Sequence, residues 1–148
     1  MDIFISVISS LICGYYVSII MAKYSAFCQV RLNIFAVCRG FSYGSSDGKL
    51  SYTEFPRYTE IADNASNFLY LGHKEAGEEA LKIFKEVADT RYSVELHNEF
   101  LLTKRPILPG SAADITFEII AERCSAWQRR SHQLKPALCT LFSLRPRL

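Results

Sequence analysis

The sequence predicts a mainly α-helical protein in which an N-terminal membrane-directed helix precedes a small helical domain. Two observations carry this expectation. One is an uncharged apolar run from Ile3 to Ala22; the other is the recurrence of apolar residues every three or four positions through much of the remainder. The chain has 148 residues, room for one ordinary domain beside a membrane segment and a tail, and its 49% apolar and 22% charged content is close to that of globular proteins. The expected divisions are residues 1–23 as the membrane-directed segment, 24–127 as the helical domain and 128–148 as a solvated basic tail.

The first element is the run IFISVISSLICGYYVSIIMA, twenty residues without a charge, which is the length a helix needs to cross a hydrocarbon core. A cleaved signal would carry a basic leader, a shorter apolar stretch and small residues before the cut. Here the only early charge is Asp2 and the run is long, so an uncleaved single-pass anchor is expected. Lys23, Arg31 and Arg39 follow the run and nothing basic precedes it, which places the C-terminal part on the cytoplasmic side. Secretion is the alternative, and the sequon Asn64-Ala65-Ser66 would be usable only there.

From Tyr24 to Phe41 charges interrupt the apolar character too often for a second span. Phe27, Val30, Ile34, Val37 and Phe41 instead form the stripe of an amphipathic helix. A second such helix is expected over Lys74–Asp89, with Ala80, Leu81, Phe84, Val87 and Ala88 on one face and Glu78/Lys82 and Lys82/Glu86 pairs in support. A third opens after Pro109-Gly110, where Ser111-Ala112-Ala113-Asp114 has capping-box spacing. Its core face is read as Ala113, Phe117, Ile120, Cys124 and Trp127.

Chemistry-bearing motifs are few. The five cysteines at 13, 28, 38, 124 and 139 form no CxxC pair or zinc framework, and the scattered histidines His73, His97 and His132 are expected on the surface. No Walker loop, GxGxxG or GxSxG occurs, so neither an enzyme nor a small-molecule substrate is expected. Six Lys or Arg residues and no acid follow Glu122, but they lack the clustering of a nucleic-acid site.

The stretch SDGKLSYTEF, Ser46 to Phe55, is the exception. With Gly48 at the sharp turn of a twelve-residue loop, Asp47 falls at position five, Lys49 offers its carbonyl at seven, Leu50 is the apolar eighth, Ser51 is ninth and Glu54 twelfth. Ser45 adds a hydroxyl at position three. This pattern resembles the exit half of a loop of the EF-hand calcium-binding family, and the resemblance makes the domain EF-hand-like. It implies a metal site of Ser45, Asp47, Lys49, Ser51 and Glu54, calcium as the ion, and two flanking helices. Tyr43 stands where the family has its first aspartate and Arg39 where the entering helix presents an aromatic residue, so binding is expected to be weak or lost. A paired loop counted back from Glu99 would start at Ala88 and lacks oxygen ligands. The expected function is therefore a membrane-associated binding protein, calcium-modulated or degenerate, with a protein partner. The alternative is a membrane-anchored helical interaction protein unrelated to EF-hands.

Overall fold

A single helix, α1, runs from Asp2 to Arg39 in the computed structural model, which describes residues 2–52 and 58–143. The apolar run and the amphipathic stretch are thus one element, and the expected division at residue 23 falls inside it. The cause is local: no glycine or proline occurs between Gly14 and Gly40, so nothing interrupts the hydrogen-bond ladder. Gly40 closes the helix, its N–H reaching the carbonyls of Ala36 and Val37. Across residues 3–15 every side chain of α1 is exposed, whereas Phe27, Ile34 and Cys38 are fully buried. Val30, Val37 and Phe41 lie partly buried against them, so the stripe read from the sequence faces the core.

Next comes a two-stranded hairpin of β1 (Tyr43–Ser46) and β2 (Lys49–Tyr52), paired antiparallel with Ser46 opposite Lys49. Asp47 and Gly48 are its two loop residues, with φ of 52° and 75°. Positive φ at both positions defines the primed turn whose twist matches the flanking strands, and Asp-Gly is a favoured pair for it. Leu50 is buried and joins the core.

Helices α2 (Thr59–Tyr70) and α3 (Lys74–Leu102) form an antiparallel hairpin. Between them Gly72 adopts φ 86°; its N–H bonds Leu69 O while His73 N–H bonds Phe68 O, the paired closure that ends a helix in a left-handed residue. The buried face of α3 is Ala76, Ala80, Ile83, Val87, Thr90 and Val94, spaced alternately four and three, with Gly77 beside it. Gly77 is a point of close approach to α2, since a Cβ there would lie 2.7 Å from Leu69 Cδ2 and 3.1 Å from Ala65 O. Of the face read from the sequence, Ala80 and Val87 are buried, but Leu81 is exposed and Ile83 takes its place. The helix also extends thirteen residues beyond Asp89, to Leu102, so the segment 88–99 is helical throughout and no loop interrupts it.

Helix α4 (Phe117–His132) starts later than the capping-box spacing suggests. Thr116 is its cap, accepting from Ile119 N, while Asp114 instead accepts from Gly110 N at 2.7 Å within the preceding turn. Ile120, Cys124 and Trp127 are buried as expected; Phe117 is exposed. Glu79 and Glu86 of α3 clamp Arg130 of α4 at 2.7 Å each, and Trp127 Nε1 donates to Glu86 at 2.9 Å. Helix α4 crosses the expected boundary at residue 127. Beyond it Ser131, Leu134 and Leu141 are buried, and a short helix α5 (Leu138–Leu141) lies against α1. Residues 128–143 are therefore packed structure and not a solvated tail; Leu134 and Leu141 supply the apolar burial, Arg130 is half-buried in its acidic clamp, and Arg129 and Lys135 are exposed.

Candidate functional site

Two places gather polar side chains whose positions depend on the fold. The first is the hairpin. Ser45 pairs across the strands with Leu50, so it projects on the face opposite to Ser46, Lys49 and Ser51. Asp47 occupies the exposed turn. Ser46, Asp47, Lys49 and Ser51 line a cavity of about 500 Å³ with Asn98, Leu101 and Leu102 at the end of α3. Of the five residues read as ion ligands, the structure brings Asp47, Lys49 and Ser51 to one cavity and leaves Ser45 outside it. Glu54 and Phe55 lie outside the described residues. Among the described residues no group of three or more His, Cys, Asp or Glu side chains is arranged to hold a metal.

Asn98 holds this hairpin in place. Its amide nitrogen donates to Leu50 O at 2.6 Å and its carbonyl oxygen accepts from Leu50 N at 3.0 Å. A carboxamide carries one donor and one acceptor in the same geometry as a peptide group, so Asn98 completes the outer edge of β2 as a third strand would. Nearby, His97 Nδ1 lies 2.8 Å from Ala113 O and Nε2 3.4 Å from Gly48 O, tying the turn to the segment before α4. The sequence offers no signal for Asn98, because its partner is 48 positions away.

The second place is the junction of α1 with α5. Lys23 is only 4% exposed, yet its ammonium group is fully engaged: it donates to Thr140 O at 3.3 Å, to Ser143 O and to Ser143 Oγ. A cation at a helix C-terminus both satisfies orphan carbonyls and complements the helix dipole. Earlier on the same helix, Tyr16 donates its phenol to Phe142 O at 3.0 Å. Thr140 Oγ1 in turn donates to Gly72 O, and Ala137 N donates to Nδ1 of His73 at 3.1 Å. Contrary to the surface position expected from its isolation in the sequence, His73 is 2% exposed, its ring packed against Phe27 at 4.8 Å with Phe68 further off at 6.5 Å, and it receives the segment leading into α5. Burial lowers its pKa below the ordinary histidine value.

Elsewhere the titratable groups are structural in character. Partial burial raises the Glu86 carboxyl, but hydrogen bonds from Arg130 and Trp127 outweigh it and hold the group below the usual carboxylate range. The five cysteines are free. Burial pushes the Cys124 thiol up to about 11, against an opposing hydrogen bond with Tyr43, which leaves it protonated and a poor nucleophile near neutrality. No known protein family, characterised protein or solved structure matches the chain.

Proposed function

We propose that the protein is a single-pass, membrane-anchored helical binding module that contacts a protein partner and performs no catalysis. The supporting observation is α1 itself: one uninterrupted helix, long and apolar enough to span a membrane, is bare over its first half and is core over its second. Exposing Ile3, Phe4, Leu11, Ile12 and Tyr15 to water would forgo burial of about 25 cal/mol per Å² of apolar surface, and a bilayer supplies that burial. The domain is proposed to lie on the cytoplasmic face, consistent with the basic residues that follow the apolar run. Asn64 is buried in α2 with its amide donating to Glu60 O at 2.7 Å, an arrangement that has no room for a glycan on either side.

Alkaline carbonate extraction of membranes carrying the full chain tests the anchor, and the protein is expected in the pellet. Release into the supernatant defeats the anchor; glycosylation of Asn64 in microsomes defeats the orientation.

A second reading is favoured by one observation, the placement of Asp47 and Ser51 along one cavity beside Asn98. Here the hairpin is a weak calcium site that modulates partner binding, with Glu54, which lies outside the described residues, a ligand only by the sequence resemblance. Calcium titration of the wild type against Glu54→Gln checks it. Equal responses, or none at millimolar calcium, remove the ion from the account.

A further inference from the structure

We propose that α5 is a second membrane contact: a short interfacial element that inserts Leu138 and Phe142 into the lipid surface at the point where α1 leaves the bilayer. The proposal rests on the anchoring of α1 argued above and adds a lipid-contacting surface that α1 does not contain.

Residues 3–15 of α1 are exposed throughout, whereas Tyr16, Ile19, Ile20 and Lys23, spaced three, four and seven positions apart, are partly or wholly covered on one face. Helix α5 packs against α1 and its C-terminal end is bonded to Tyr16 and Lys23. From Tyr16 to Lys23 the helix rises only about 10 Å, and the apolar run ends at Ala22. A span that begins near Ile3 must use residues up to about Ala22 to cross a core of about 30 Å. The end of α5 therefore lies beside the last two turns of the span, from the headgroup boundary at Lys23 to about 10 Å into the acyl region at Tyr16.

Chemistry agrees with this depth. Backbone carbonyls at a helix end need partners, and lipid offers none. The carbonyls of Thr140, Phe142 and Ser143 all have them, from Lys23 Nζ and the Tyr16 hydroxyl. Leu141 turns inward and is buried, while Leu138 and Phe142, four residues apart and so on one face, are 66% and 55% exposed. Two large apolar side chains presented outward, beside a lipid-facing helix and above internally satisfied carbonyls, fit a lipid surface.

The test places an environment-sensitive fluorophore on single cysteines in the full-length protein, reconstituted in phosphatidylcholine vesicles. Cys13, Cys28 and Cys139 are replaced by serine, and buried Cys38 and Cys124 are retained. Phe142→Cys and, independently, Leu138→Cys carry the label; Leu11→Cys serves as the mid-span control and Leu102→Cys as the control on the far end of α3. Quenching is read with lipids bearing a nitroxide near the headgroup or near the chain terminus. Labels at 142 and 138 are expected to lose emission with the shallow quencher, the label at 11 with the deep one, and the label at 102 with neither. If 142 and 138 behave like 102 while 11 is quenched, α5 lies outside the lipid and the proposal fails with the anchor intact. It fails in the same way if their emission is blue-shifted but insensitive to both lipid quenchers, the signature of a protein contact such as a second copy. If 11 is also unquenched, the anchor has failed and the proposal with it.

Discussion

At the scale of single residues, Asn98 and Lys104 make opposite contributions. Asn98 satisfies both outer peptide groups of Leu50. Its replacement by alanine leaves a part-buried donor and acceptor unpaired and is expected to cost about 1–3 kcal/mol. Amide exchange at Leu50 should accelerate in Asn98→Ala, while Asn98→Asp, which keeps the acceptor but loses the donor, should fall between. Unchanged exchange would mean that the hairpin edge is held by something else. Lys104 terminates α3 at φ 53°, with its N–H on Leu101 O and Arg105 N–H on Phe100 O. A left-handed conformation strains every side chain that has a Cβ, so Lys104→Gly is expected to raise stability by about 0.5–1 kcal/mol after the added freedom of the unfolded chain is discounted. A thermal melt in detergent reads the sign. These residues also mark what a sequence can disclose. Asp47-Gly48 is legible as a tight turn because its constraint is its own backbone. Asn98 is not, since an asparagine in a helix acquires its role only when the fold brings a strand edge to it.

At the scale of elements, periodicity discloses the faces of α1, α3 and α4 but misplaces their ends. Composition divides α1 where charges begin, although the backbone responds to glycine and proline and not to charge. Helix α4 begins after Thr116 because Asp114, the acidic residue that suggests an earlier cap, is occupied by Gly110 N. The attachment of α5 is illegible for a further reason: its anchor is a buried histidine, and a lone histidine has no pattern. That attachment carries a pH dependence. His73 accepts a hydrogen bond from Ala137 N at Nδ1 in an apolar pocket, and its native pKa lies below the ordinary 6.5. Below pH 6.5 the unfolded chain binds a proton more readily than the native one, so the stabilisation is complete above that value and is lost as pH falls toward the native pKa. Protonating Nδ1 also abolishes the acceptor for Ala137. The melting temperature of the wild type is expected to drop on acidification from about pH 7 to about pH 5 more steeply than that of His73→Gln, which keeps a polar group without the titration. Parallel slopes would remove His73 as the source of the acid sensitivity, and Glu86 would not replace it, because its stabilisation is lost only below the ordinary carboxyl value of 4.5.

At the scale of the whole molecule, the helical class and the long apolar N-terminal helix are both legible, because each is written in local composition. How the two are joined is not. The bonds that seat residues 140–143 on α1 connect positions 117 to 126 apart. The consequence is mechanical. The same helix that lies bare over residues 3–15 continues as the core strut against α2 and α4, so the domain's orientation follows that of the helix without an intervening hinge. The proposed anchoring and the folding are also separable. Residues 3–15 have no buried side chain, whereas Tyr16 and Lys23 hold α5 in place. A chain beginning at Tyr16 is therefore expected to retain the core of Phe27, Ile34, Phe68, Ile83 and Trp127 and to melt within a few degrees of the detergent-solubilised full chain. It should also partition into the supernatant where the full chain pellets with membranes. A large fall in melting temperature would show that the bare half of α1 stabilises the domain directly. Continued pelleting of a folded truncated chain would shift the membrane affinity to the domain, where Leu138 and Phe142 are the surface to replace first.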